Sequence, residues 1–143
     1  MKRILVALEF NNSSEKLVQM AEQIAICFES SLWLVHIAAP DPDFVGYDVG
    51  PQYIRDTRAE VLRKEHRELQ ALSRQLEAKG FSTEPLLLQG ATVNTLLSEA
   101  RKLEIDLIIA GHQRKGFIGQ LFEGSVAKEL LDEAGIPVLV VPE

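Results

Sequence analysis

The chain is 143 residues long, 46% hydrophobic and 25% charged, with a net charge of −6. A chain of this size buries about 70% of its unfolded surface and folds without a disulfide or structural metal, and its single cysteine, Cys27, excludes an intramolecular disulfide. The acidic balance argues against nucleic-acid binding, which needs a basic face, and no apolar run approaches the roughly 20 residues that span a bilayer.

Met1 to Leu8 opens like a targeting leader but stops at Glu9 and lacks a cleavage site. It reads as a first strand, Ile4 to Leu8, and the expected location is the cytoplasm. Such a short continuous apolar run suits a central parallel strand covered on both faces. Asn12 followed by Glu15 resembles a capping box, so helix one is expected from Ser14 to Phe28, with Leu17, Met20, Ala21, Ile24 and Phe28 on its inner face. Cys27, beside Ile24, Ala25 and Phe28, is expected to be a buried, inert thiol.

Ser31 to Ala38 is the second strand, with Trp33 expected in the core. Ala39 to Gln52 holds too many prolines and glycines for regular structure. Tyr53 to Lys79 is a long helix carrying Ile54, Val61, Leu62, Leu69, Leu72 and Leu76 at helical spacing, with Gly80 as its cap. The charge run from Arg55 to Arg67 suits a solvated face. Thr83 to Gln89 is strand three, and Pro85 within it marks an edge strand. Val93 to Leu103 is helix three, Asp106 to Ala110 strand four, Gly111 to Glu123 a loop, Ser125 to Ala134 helix four and Ile136 to Val141 strand five.

Strands alternating with helices imply an α/β fold: one domain, residues 1–143, with a doubly wound, five-stranded parallel sheet and helices on both faces; the expected strand order is 3-2-1-4-5. In such a sheet ligands bind beyond the carboxyl ends of the strands, where the strand order reverses. Three segments lie there: Ala7 to Phe10, Ile37 to Pro40 and Gly111 to Ser125. The last, Gly111-His112-Gln113-Arg114-Lys115-Gly116-Phe117-Ile118-Gly119-Gln120-Leu121-Phe122-Glu123-Gly124-Ser125, leaves a strand and ends at a helix start. Glycines let amides approach a phosphate, and a helix N-terminus adds free N–H donors and partial positive charge. The same residue types also suit a plain glycine-rich connection with a serine cap.

This stretch resembles the signature of the universal stress protein family, Gly-x2-Gly-x9-Gly-Ser/Thr. Gly111 and Gly124-Ser125 match at the right spacing, and Arg114 stands where the second glycine belongs. Met1 to Phe10, Leu34-Val35-His36-Ile37, Gly90, Asp106 to Gly111 and Ile136 to Val141 are also similar to family segments, so the resemblance spans the chain.

The resemblance implies a Rossmann-like, adenine nucleotide alpha hydrolase-like fold and an ATP site, with Mg2+ held by the phosphates. Ala7, Leu8, Glu9 and Ile37 would hold adenine and ribose, and Ala110 and Gly111 the ribose and first phosphate. Gln113, Arg114, Gly124, Ser125 and Val126 would surround the phosphates. Glu9 replaces the family's usual aspartate and reaches one methylene further. Arg114 either binds phosphate bidentately or fills the phosphate site. The resemblance also implies a homodimer through strand five, by Val138, Leu139, Val140 and Val141.

Three functions are open to such a chain: a nucleotide-binding regulatory module of the stress response, a non-binding relative acting through dimerisation and protein contacts, and a slow ATP-hydrolysing or adenylyl-transferring enzyme. No catalytic residue or metal site is expected, because His36, His66 and His112 lack metal spacing. Neither a nucleophile elbow nor a full phosphate loop occurs. His36 reads as packed or hydrogen-bonded, His66 as a surface residue, and His112 as either a ligand contact or a solvated loop residue. A receiver domain is rejected, because Glu9 stands alone after strand one and no late lysine follows strand five.

Overall fold

The computed structural model describes residues 1–8, 14–38, 52–89, 92–112 and 125–142. Their elements run β1 (Arg3–Leu8), α1 (Ser14–Phe28), β2 (Ser31–Ala38), α2 (Gln52–Ala78), β3 (Thr83–Gln89), α3 (Thr92–Lys102), β4 (Leu107–His112), α4 (Ser125–Glu133) and β5 (Val138–Pro142). The strands form one parallel sheet of order β3-β2-β1-β4-β5, as expected. Pro85 does lie in an edge strand, where its missing N–H costs no ladder bond.

Side chains alternate between two cores, one on each face. Ile4, Val6 and Leu8 of β1 join Leu107 and Ile109 of β4 beneath α1 and α2, which contribute Leu17, Val18, Ala21, Ala25, Leu69 and Leu76. Leu5, Val35, Ile108 and Ala110 point to the other face, beneath Val93, Leu96, Leu97 and Ala100 of α3 and Leu130 of α4. This is why the central strands are apolar at every position rather than at every second one.

Helix ends follow backbone chemistry. Gly80, at φ +98°, closes α2: its N–H donates to Glu77 O, and the Phe81 N–H donates to Leu76 O. That is a Schellman pattern with glycine in the left-handed position. After α3 the same pair of bonds forms around Glu104, at φ +54°. A glutamate there carries the Cβ crowding that glycine avoids.

Several expectations about individual side chains fail. Cys27 is exposed, and so are Phe28 (51%) and Ile26 (68%). The buried face of α1 is formed by Leu17, Val18, Ala21 and Ala25, and Phe28 lies outside it. Val61, placed by periodicity on the inner face of α2, is 49% exposed. His66 is half-buried rather than at the surface, with Nε2 3.0 Å from Gln70 Nε2. Trp33 packs against the second core but is only half-buried, with the Arg3 guanidinium 5.9 Å from its ring centroid. The Asn12 capping box lies outside the described residues.

Asp106 ties the start of β4 to the start of β1. Its Oδ2 accepts from the backbone amides of Arg3 and Lys2, each at 2.9 Å, and these bonds hold the carboxyl below its ordinary value. A carboxylate depressed in the folded state stabilises above its unfolded pKa, and the contribution is lost as pH falls through the folded value. Asp106→Ala is therefore expected to unfold at lower temperature than wild type at neutral pH, with the gap closing under acid. Melting curves recorded down to about pH 2 check this; a gap that stays constant would contradict it.

Candidate functional site

The sheet reverses its order between β1 and β4, and the ladder between them opens at that point. Pairing of β1 with β4 runs from Ile4–Leu107 to Val6–Ile109 and stops, although β1 continues to Leu8 and β4 to His112. On its other side β1 stays paired with β2 through Leu8–His36, and β4 stays paired with β5 through His112–Pro142. The two strand ends therefore part while each remains held by its outer neighbour. The helix following β1 lies on one face and the helix following β4 on the other. A crevice at the carboxyl edge of the sheet follows, the place where doubly wound sheets take their ligands.

Of the expected site residues, Ala7, Leu8, Ala110 and Gly111 line the two strand ends. Leu8 is buried toward α1 and α2, and Ala110 toward α3 and α4. Gly111 and His112 belong to β4 rather than to a loop, because they pair with Val141 and Pro142 of β5. Leu17 in the first turns of α1 lies over Gly111: a Cβ built there would sit 3.4 Å from Leu17 Cδ1. Ile37 pairs with Leu88 of β3, one strand away from the crevice. Ser125 and Val126 form the first residues of α4, so that helix offers its unpaired amides at this point of the chain. Glu9, Gln113, Arg114 and Gly124 lie outside the described residues.

One residue beside the crevice carries more than its sequence position suggested. His36 is 8% exposed, and its Nδ1 lies 2.8 Å from the Leu8 carbonyl. Its Nε2 lies 3.2 Å from Glu65 Oε2 on α2. That contact is close enough for ion pairing but not aligned as a hydrogen bond, since Glu65 Oε2 has no hydrogen-bond partner among the described residues. The expectation of a packed, hydrogen-bonded histidine holds. The charge run of α2 suggests a solvated Glu65, whereas the structure half-buries it.

Among the described residues no group of three or more His, Cys, Asp or Glu side chains is placed to hold a metal. No described helix is long and apolar enough to cross a membrane.

The comparisons agree with this geometry. The model of the universal stress protein family matches residues 1–142. A relative from Thermus aquaticus, the universal stress protein in the QAH/OAS sulfhydrylase 3′ region, is 31% identical over 142 residues, covering 98% of each chain. A universal stress protein solved in complex with cAMP superposes with a TM-score of 0.69 at 22% identity, over 98% of this chain and 96% of the other. The universal stress protein from Archaeoglobus fulgidus in complex with dAMP gives 0.68 at 17% identity, over 98% and 97%. A match along nearly the whole length, on a sheet with the expected strand order, leaves one conclusion: the chain belongs to the universal stress protein family.

Proposed function

We propose that this protein is a regulatory module that binds an adenine nucleotide, ATP, across the crevice between β1 and β4. The observation that carries the reading is the early end of the β1–β4 ladder at Val6–Ile109, beside two strand ends that run on. The complexes of relatives with cAMP and dAMP support an adenine ligand. Ala7, Leu8, Glu9 and Ile37 take the adenine and ribose, and Ala110 and Gly111 the ribose and first phosphate. Gln113, Arg114, Gly124, Ser125 and Val126 take the remaining phosphates. A Mg2+ ion fits this arrangement as a phosphate-held ion, because Mg2+ keeps its waters and asks for few protein ligands.

Binding acts by population shift: the nucleotide favours whichever conformation of the protein it contacts better, and a partner reads the result. We assign the module to the cytoplasm and to signalling rather than turnover. Mass spectrometry of the small molecules released from purified, denatured protein tests the reading. An adenine nucleotide is expected, and its absence at saturating ATP would defeat it.

Gly111→Ala separates ligand from fold. Among the described residues the atoms nearest the added Cβ are Leu17 side-chain carbons at 3.4–3.9 Å, ordinary contact distance, and alanine is favoured over glycine in a strand by roughly 0.5–1 kcal/mol. The variant is expected to unfold at the wild-type temperature or slightly above it, while its nucleotide affinity falls. Thermal unfolding with and without ATP reads both. A loss of stability without a loss of affinity would assign Gly111 to packing.

A second reading, a relative that works by dimerisation alone, draws on β5. Its Val138, Leu139 and Val140 are half-buried in a strand at the open edge of the sheet. An apolar edge is a template for pairing, and we propose a two-fold contact through Val138, Leu139, Val140 and Val141. Dimerisation and nucleotide binding are compatible. The second reading replaces the first only if the chain dimerises and takes no nucleotide.

A further inference from the structure

We propose that His36 is the positioning residue of the nucleotide site, fixing the end of β1 through the Leu8 carbonyl; the proposal rests on the nucleotide-binding reading above. Leu8 lies beyond the last β1–β4 pair, in the stretch where the two strands have parted. Leu8 pairs with His36 in the β1–β2 ladder, and its carbonyl takes a side-chain contact as well, from His36 Nδ1 at 2.8 Å. A carbonyl only accepts, so Nδ1 carries the hydrogen.

The ring also faces the covering helix. Its Nε2 faces Glu65 Oε2 at 3.2 Å, and the two side chains are 10% and 27% exposed. Glu65 belongs to α2, the helix that covers this face of the sheet. One imidazole thus connects the covering helix to the strand end that lines the crevice. The tightness of the nucleotide site is set from outside it, by a residue that need not touch the ligand.

The experiment is a calorimetric titration of ATP with Mg2+ into wild type, His36→Asn, His36→Gln and Glu65→Ala, with thermal unfolding recorded for each. Asparagine places an amide nitrogen where Nδ1 stands, and glutamine reaches the Nε2 position instead. His36→Asn is expected to bind within about threefold of wild type, and His36→Gln to weaken by about tenfold or more. Rescue by asparagine but not by glutamine is a result that loss of packing alone does not give. If the two variants bind alike, the proposal is overturned while the nucleotide reading stands. Should His36→Gln fail to fold, Glu65→Ala decides: a loss of about two- to fivefold supports the link to α2, and unchanged affinity overturns it. A wild-type chain that gives no heat of binding overturns the nucleotide reading, and the role of His36 with it.

Discussion

Ser125→Asp is expected to abolish nucleotide binding while leaving the fold as stable as wild type, or slightly more so. Ser125 opens α4, where the amides of the first turn are unpaired and the helix dipole presents partial positive charge. A carboxylate there is favourable to the helix by about 0.3–1 kcal/mol. The same carboxylate repels a triphosphate brought to the helix start, and it occupies the donors the phosphate would use. Folding and binding therefore move in opposite directions, which a merely structural serine cannot produce. Ser125→Ala is the milder companion. A hydrogen bond to a charged group is worth about 1.5–3 kcal/mol, so its loss weakens ATP by about tenfold or more. Were Ser125 only a cap, alanine would cost about 0.5–2 kcal/mol of stability and no affinity. Binding isotherms paired with melting curves for the two variants separate these outcomes, and an aspartate variant that still bound ATP would remove Ser125 from the phosphate site.

The largest loss of stability is expected at Ile109. It is fully buried, pairs with Val6 of β1 and Leu139 of β5, and marks the last rung before the crevice opens. Removing three heavy atoms from such a site forfeits transfer energy and leaves a cavity, together about 2–5 kcal/mol. Domains of this kind have about 5–15 kcal/mol in all. Ile109→Ala should therefore lower the unfolding temperature by roughly 6–15 °C. Leu131→Ala, 60% exposed on α4 beside the buried Leu130, is the matched control and should change stability by no more than about 0.5 kcal/mol. Equal effects in denaturant melts of the two variants would mean that the faces of the sheet are assigned wrongly.

Much of this architecture was legible because central parallel strands announce themselves. Leu5-Val6-Ala7-Leu8 and Leu107-Ile108-Ile109-Ala110 are apolar throughout since each side chain meets a helix on one face or the other. Pro85 gave the edge, and Gly80 gave the end of α2. What stayed hidden depends on contacts distant in sequence. Gly111 looks like the start of a loop, since glycine has little strand preference of its own; pairing with Val141 makes it strand. Periodicity favours Phe28 because it weighs large apolar residues, whereas the buried residues of α1 are Leu17, Val18, Ala21 and Ala25. The turn after α3 carries Glu104 instead of the glycine that would mark it. The approach of Glu65 to His36 joins a helix to a strand across the core, and no local pattern encodes it. Of the candidate site residues, Ala7, Leu8 and Gly111 fall in segments that topology picks out, whereas Ala110 comes from the family resemblance. The phosphate-side residues rest on the motif and its spacing.

Isothermal titration of the intact chain with ATP and Mg2+ bears on the whole picture. A parted pair of strand ends with a helix start nearby should take up one nucleotide per chain, saturably, and release it to excess dAMP. No heat and no rise in unfolding temperature at millimolar ATP would contradict that, leaving a universal stress protein whose crevice serves no nucleotide.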